Sequence, residues 1–397
     1  MSKVIVIGAG ASGIIAAIKA SYKNDVILID GNDKCGKKLL VTGNGKCNYW
    51  NEDINVLNYF NSHNNKLENI LEYKEEVLNY LYSIGIYPKI KNGYYYPMSG
   101  MASSVRETFD KEIKRNNIIT KYNSKVIDIE KENNEYKVIL ENEVIYTDKL
   151  IIATGSKAFP KTGSDGFGYL IAKKFNHKIN SVLPSLVALK TNDKLIKEAT
   201  GVRSEVILSL YCDNSLVKEE NGEIQITDDG ISGICTFNLS GLVSKALNNK
   251  KEVFVKINFV PEINDFYNFF ENRNREIANR TIEELLESIM NYKLINIILK
   301  RCVINKDKHW NDLSIIEQEM LIKNIVEFEL KIVGTNSYDK AQVCTGGIPL
   351  NEINDNMESI YNDNLYFVGE LLDVDGKCGG FNLAFAFITG YIAGSSV

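Results

Sequence analysis

Apolar positions along the chain change their period several times, and each change marks an element. Lys3-Val4-Ile5-Val6-Ile7 is a β-branched run, the pattern of a strand buried on both faces of a parallel sheet. A small apolar helix, Ile14 to Ala20, and a second strand, Asp25 to Ile29, follow it. Residues 66 to 82 carry Leu67, Ile70, Leu71, Val77, Leu78 and Leu81 at helical spacing. Val105, Phe109 and Ile113 predict a helix from about Ser104. Three short strands come next, Lys125 to Ile129, Tyr136 to Leu140 and Val144 to Tyr146, and lead into the buried run Leu150 to Gly155. From Leu186 the character changes. Short β segments up to Phe259, with turns at Asn221-Gly222 and Asp229-Gly230, predict an inserted antiparallel domain. Pro261 opens a helical stretch, with Ile282, Leu285, Leu286 and Ile289 three and four apart, that lasts to about Leu330. Lys331 to Val333 return the chain to Ala341–Gly347, then to a buried strand at Leu365 and a final apolar helix.

The first strand runs into Gly8-Ala9-Gly10-Ala11-Ser12-Gly13. Gly8 permits the tight turn, Gly10 lets the backbone approach a pyrophosphate, and Gly13 lets helix and strand pack closely. Phosphates at a helix N-terminus meet free N–H groups and the positive end of the dipole. Asp30 closes the second strand 20 residues beyond Gly10, the distance at which an acid accepts from an adenosine ribose. The fingerprint binds ADP of some kind and leaves the dinucleotide open. A second glycine-rich block, Gly376 to Leu383, lies near the far end of the chain. Wrapping a ligand from both ends suits a long cofactor such as FAD. Glycine ahead of the final helix allows close contact with a flat ring. The helix N-terminus would favour the anionic reduced flavin, and Asp373 would accept from a ribityl hydroxyl. Gly163 to Gly168 lacks a preceding long strand, so it reads as a loop with Asp165 as helix cap and not as a second nucleotide site.

Composition narrows the class. The 397 residues are 44% hydrophobic and 24% charged, a globular chain long enough for two or three domains. A net charge of −5 provides no global pull toward nucleic acid or anionic membrane. Seven scattered cysteines without a CxxC, and no signal-peptide pattern, read as reduced thiols and a cytoplasmic location. His63, His177 and His309 stand too far apart for metal-ligand spacing, so no metal is expected. The tail Phe381 to Val397 is too short and too polar for a membrane anchor.

Four motifs carry a family resemblance. They are Gly8–Gly13, the block Gly36-Lys37-Lys38-Leu39-Leu40-Val41-Thr42-Gly43-Asn44-Gly45-Lys46-Cys47-Asn48, Ala153-Thr154-Gly155, and Gly369-Glu370 through Leu383. Together they resemble the HI0933-like (BaiN/RdsA) family of NAD(P)/FAD-dependent oxidoreductases over the whole chain. The resemblance implies an α/β fold, the FAD-binding two-dinucleotide-domain (Rossmann-like) flavoprotein fold, with an inserted β-barrel-like domain and a helical insert. The expected FAD-binding domain is then discontinuous, 1–185 and 340–397. The inserted β domain covers 186–260 and 331–339, and the helical insert covers 261–330. The expected FAD contacts are Gly8, Gly10, Ala11, Ser12, Gly13, Asp30, Lys38, Thr42, Gly43, Asn48, Val126, Ala153, Thr154, Gly155, Gly369, Glu370, Asp373, Gly380, Phe381, Asn382 and Leu383. Departures from the family pattern are Asp30 for the commoner glutamate, Lys46 for arginine, and Trp50 for a small polar residue.

The resemblance also implies one chemical step. Reduced flavin delivers hydride to a double bond conjugated to a carbonyl, and an acid protonates the neighbouring carbon. The implied substrates are a uridine of large-subunit ribosomal RNA or a steroid-like enone, with NAD(P)H as a transient reductant. Cys47 is a candidate proton donor or a small packed thiol. Tyr94-Tyr95-Tyr96 is a pocket wall or a packed strand edge. Lys293, Lys300, Arg301, Lys306 and Lys308, with Trp310 beside them, form a local basic stretch that ranks RNA ahead of the small enone. A bound FAD serving only as a redox sensor is the reading outside enzymology.

Overall fold

The computed structural model describes residues 2–397. It forms two compact units, one ending at Leu183 and resuming at Tyr338–Val397, the other Pro184–Ser337.

The first unit is built on a five-stranded parallel sheet. Its order is Leu365–Phe367, Lys149–Ile152, Lys3–Ile7, Asp25–Ile29, Ile119–Lys121. Ile7 pairs with both Ile29 and Ile152, so the three strands carrying the fingerprint, Asp30 and the Ala153 turn end in register. Both faces of the central strand are covered, which is why its sequence runs apolar without alternation. The helix Ala11–Ala20 is buried along nearly all its length. The final helix, Phe381–Ser396, lies against it through glycines. A Cβ on Gly390 would sit 2.2 Å from the Ser12 carbonyl oxygen, and one on Gly394 would sit 2.4 Å from that of Ala16. No helix among the described residues is long and apolar enough to cross a membrane.

Two local expectations are corrected. The 66–82 stripe is two helices, Asn64–Leu71 and Lys74–Ser83. The break falls where the buried stripe lapses between Leu71 and Val77. Gly166, at φ +83°, occupies the cap of the helix Phe167–Lys174. Asp165, one residue earlier, still accepts the Phe167 N–H at 2.9 Å.

The second unit is a closed six-stranded barrel. Its order is Leu189–Thr191, Gly230–Gly233, Ser215–Thr227, Arg203–Cys212, Val253–Asn258, Phe328–Thr335. The return strand starts at Phe328, three residues before Lys331, because the last insert helix stops at Val326. Helices Phe266–Glu276, Ile282–Leu286, Tyr292–Cys302 and Ile315–Val326 fill the helical stretch. A fifth helix, Ile234–Asn248, interrupts the β segments, where the sequence showed no helical stripe.

Candidate cofactor and active site

The fingerprint glycines divide into two kinds. A Cβ on Gly8 would lie 2.4 Å from the Ala153 carbonyl oxygen, and one on Gly13 would lie 1.8 Å from that of Gly8. Internal packing demands both. Gly10 differs: φ −83° and ψ −168° suit any residue, and a Cβ there would meet nothing within 4 Å. Its backbone borders open space at the start of the helix Ala11–Ala20, whose first turn has no acid and whose end has no side-chain cap. Unpaired N–H groups and the dipole make that space favourable to an anion. Ala11 and Ser12 belong to this first turn.

Asp30 braces the same turn. Its carboxylate accepts the N–H of Ala9 at 2.6 Å and of Asn32 at 2.7 Å. The Ser124 N–H donates to the Asp30 carbonyl, which brings buried Val126 alongside. The Gly36 block is tied on by its N–H to the Ala9 carbonyl, at 2.8 Å. Within the block, Gly43, Asn44, Gly45 and Cys47 all adopt left-handed backbone. The Thr42 hydroxyl donates to the Leu39 carbonyl. Lys38 and Glu370, both expected at the cofactor, hold each other at 3.3 Å. Glu370 also accepts from Ser156 at 2.7 Å and from the Cys344 N–H at 3.0 Å, so this pair clamps the two ends of the chain.

Cys47 does not reach an open wall. It has no exposed surface, and burial pushes its thiol up to about 11. A proton donor must touch its acceptor, so this burial favours the packed-thiol reading of Cys47 over the proton donor.

The second glycine block closes on the first. Asn51 Nδ2 donates to the Gly379 carbonyl at 2.8 Å. A Cβ on Gly379 would be 2.3 Å from the Tyr94 ring, and one on Gly380 would be 2.3 Å from the Trp50 carbonyl oxygen. Gly380, at φ +95°, starts the final helix. The Asn48 amide, turned to suit its neighbours, donates to the carbonyls of Trp50 and Tyr95. Asn382 closes the Gly376 turn through both its amide atoms. The Phe381 ring stands edge-on to Tyr59, and Leu383 lies partly buried against the core. Gly369 passes over the fingerprint helix, where a Cβ would be 2.5 Å from Ser12 Oγ.

Three of the buried polar atoms that lack a partner among the described residues bear on the site. They are Thr154 Oγ1, Thr345 Oγ1 and Asp373 Oδ1; the other Asp373 oxygen accepts from Asn180 at 2.6 Å. Gly155, at φ +72°, turns the chain beside them. Buried polar atoms cost stability unless something satisfies them. With the open approach at Gly10, they fit an extended cofactor of FAD's kind, rich in phosphate and hydroxyl groups. Sequence reasoning missed Thr345 and Asn51. The Thr-Gly-Gly run was a usable signal for the first, whereas only the fold shows the second.

Two other constellations carry no site. His177 Nε2 lies 2.7 Å from Ser359 Oγ, and Nδ1 lies 3.3 Å from Glu352, a relay-like trio. All three are buried, and Ser359 Oγ already accepts the N–H groups of Tyr361 and Asn362, so it has no free lone pair for attack. The basic stretch at 293–308 is paired within its own unit, in part through exposed ion pairs. Lys300 pairs with Glu198, Arg301 with Asp193, Lys306 with Glu283 and Lys308 with Glu317, while Lys293 donates to the Thr200 carbonyl. Trp310 is fully buried and bonds Glu271, so it cannot stack on a base. This stretch therefore no longer ranks RNA ahead of the small enone.

The family model described as HI0933-like protein Rossmann domain matches residues 2–396. The chain belongs to this family. A 3-dehydro-bile acid delta(4,6)-reductase of Clostridium scindens is 35% identical over 402 residues, covering 99% of this chain and 98% of that protein. A ribosomal RNA dihydrouridine synthase of Escherichia coli is 26% identical over 388 residues, covering 96% and 94%. Among solved structures, the 3-ketosteroid-delta4-(5alpha)-dehydrogenase of Rhodococcus jostii RHA1 shares the fold with a TM-score of 0.53. That match is 13% identical and covers 100% of this chain and 96% of that one. HI0933-like members thus have a Rossmann-type α/β architecture, here carrying a closed barrel between its two parts.

Proposed function

We propose that this flavin-dependent oxidoreductase reduces a carbon–carbon double bond conjugated to a carbonyl in a small apolar enone of steroid or bile-acid size. The observation that carries the reading is the strand Tyr94–Pro97. It sets two half-buried phenols against Gly379 and Gly43, the glycines of the two cofactor blocks. The similarity to the bile-acid reductase supports the same class, and the paired state of the basic stretch removes the reason for preferring RNA.

FAD, when bound, supplies the hydride. The chain's own residues do the rest. Gly10 and the N–H groups of Ala11, Ser12 and Gly13 hold the pyrophosphate. Asp30, with one acceptor site to spare beyond the Ala9 N–H and the N–H and side-chain amide of Asn32, would accept from the ribose. Thr154 and Asp373 satisfy hydroxyls of the linking chain. The start of the final helix at Gly380 favours the negative charge of the reduced ring. NAD(P)H is the proposed electron source, visiting transiently.

The test is turnover of a 3-oxo-4,6-diene bile acid by FAD-loaded enzyme with NADPH or NADH, followed by mass spectrometry for the gain of two hydrogens. Reduction supports the reading. No reduction, together with loss of dihydrouridine from ribosomal RNA when the gene is deleted, replaces it with the RNA reading. Flavin that stays oxidised under excess reductant leaves only a redox sensor.

A further inference from the structure

Side chains alternate along the strand Tyr94–Pro97, so Tyr94 and Tyr96 share one face and Tyr95 takes the other. Tyr95 is buried, edge-on to Tyr49 at 6.4 Å. Tyr94 and Tyr96 are half-buried, and neither hydroxyl has a hydrogen-bond partner among the described residues. Each ring lies beside a glycine of one of the two blocks, Tyr94 the more closely. Tyr94 is seated on Gly379, where a Cβ would lie 2.3 Å from its Cε1. Tyr96 lies over Gly43, where the same distance would be 3.7 Å. Two strand steps separate the pair by about 6.5 Å along the backbone.

An enone places its demands in order along three carbons. The β-carbon takes hydride, the α-carbon takes a proton, and the carbonyl oxygen carries the charge in between. The phenols come in the same order: Tyr94 beside Gly379–Gly380, Tyr96 one step further off at Gly43. We propose that Tyr94 is the catalytic proton donor to the α-carbon and Tyr96 the hydrogen-bond donor to the carbonyl oxygen. The proposal rests on the enone reading above. As hydride from a reduced flavin bonds the β-carbon, the π pair moves toward oxygen and is held by the Tyr96 O–H. The Tyr94 O–H bond then breaks, its proton bonds the α-carbon, and the phenolate left behind regains a proton from water. The products are the saturated ketone and oxidised flavin, which NAD(P)H reduces again. Burial, and then charge at Cys378, push both phenols above the usual tyrosine range, so both carry their protons at neutral pH.

Binding and chemistry separate the two roles. A 3-oxo-4,6-diene bile acid bound to the oxidised, FAD-loaded enzyme shows a red-shifted ultraviolet band when its carbonyl accepts a hydrogen bond. The shift is expected in wild type and in Tyr94→Phe, and absent in Tyr96→Phe. Turnover by Tyr94→Phe is expected to fall about 100-fold or more. Phe keeps each ring in place, and flavin content checks the fold of each variant. As a second measure, 3-fluorotyrosine in place of Tyr94 lowers the phenol's pKa at nearly constant size, and should move the alkaline limb of the rate profile to lower pH. A full shift in Tyr96→Phe, wild-type turnover in Tyr94→Phe, or an unmoved alkaline limb overturns the assignment and leaves the enone reading standing. A wild-type enzyme that neither shifts nor reduces the dienone overturns both.

Discussion

Replacing Gly10 with alanine should separate cofactor binding from folding. A methyl at this position keeps an allowed backbone and meets no protein atom within 4 Å. Without cofactor the variant should be about as stable as wild type. The gain of about 0.4–1 kcal/mol from a more restricted unfolded chain is offset by a similar loss at the N-cap that Gly10 occupies, where alanine is disfavoured. The same methyl stands where a pyrophosphate would meet the helix N–H groups. Each charge-assisted hydrogen bond lost there costs about 1.5–3 kcal/mol, or roughly 10- to 150-fold in affinity. Fluorescence titration of FAD, alongside thermal unfolding of the cofactor-free protein, measures both terms. Gly13→Ala is the contrast, since its Cβ would overlap the Gly8 carbonyl at 1.8 Å and should undo the fold itself. Wild-type FAD affinity in Gly10→Ala would show that the open space is not the phosphate cradle. A collapse of its cofactor-free stability would show that the space is not open.

Gly390→Leu should cost about 3 kcal/mol or more, read as lost soluble yield and flavin content, because its Cβ would press on the Ser12 backbone at 2.2 Å. Cys47→Ala should lower the melting temperature through lost packing and leave turnover per bound flavin unchanged; a hundredfold loss of turnover would return Cys47 to the reaction. For His177, burial holds the folded-state pKa below the free value of 6.5. The unfolded chain therefore takes up the proton first as pH falls. Stability present above pH 6.5 is lost below it, by at most about 1.4 kcal/mol per pH unit. Urea unfolding from pH 7.5 to 5.5 should show that slope in wild type and a flatter one in His177→Gln.

Local pattern made much of the nucleotide unit legible. Strands buried on both faces, the Gly8–Gly13 turn and Asp30 at its set distance are short-range signals, and sheet register follows from them. The helix Ile234–Asn248 was not legible. It is buried almost all round, with Thr236, Asn238, Ser240, Gly241 and Ser244 among its inward residues, so it shows neither an apolar stripe nor a strong helix propensity. The pairing of the basic stretch was hidden for a related reason. Its charges line up in sequence, but their partners come from Asp193, Glu198, Glu283 and Glu317. The seat of Tyr94 on Gly379 joins residues far apart in the chain and has no local trace at either end.

The glycine-mediated contact between the helices Ala11–Ala20 and Phe381–Ser396 also sets a schedule for synthesis. Ser12 and Ala16 lie against Gly390 and Gly394, yet the helix that carries those glycines is made long after the first. At about 5–20 residues per second, roughly 20 to 75 seconds pass between completion of the first helix and emergence of Gly394. During that interval the barrel unit, contiguous from Pro184 to Ser337, has every strand it needs and can close. The nucleotide unit cannot. Its fingerprint helix waits in a nascent chain with this face uncovered, a period in which a chaperone has the longest access.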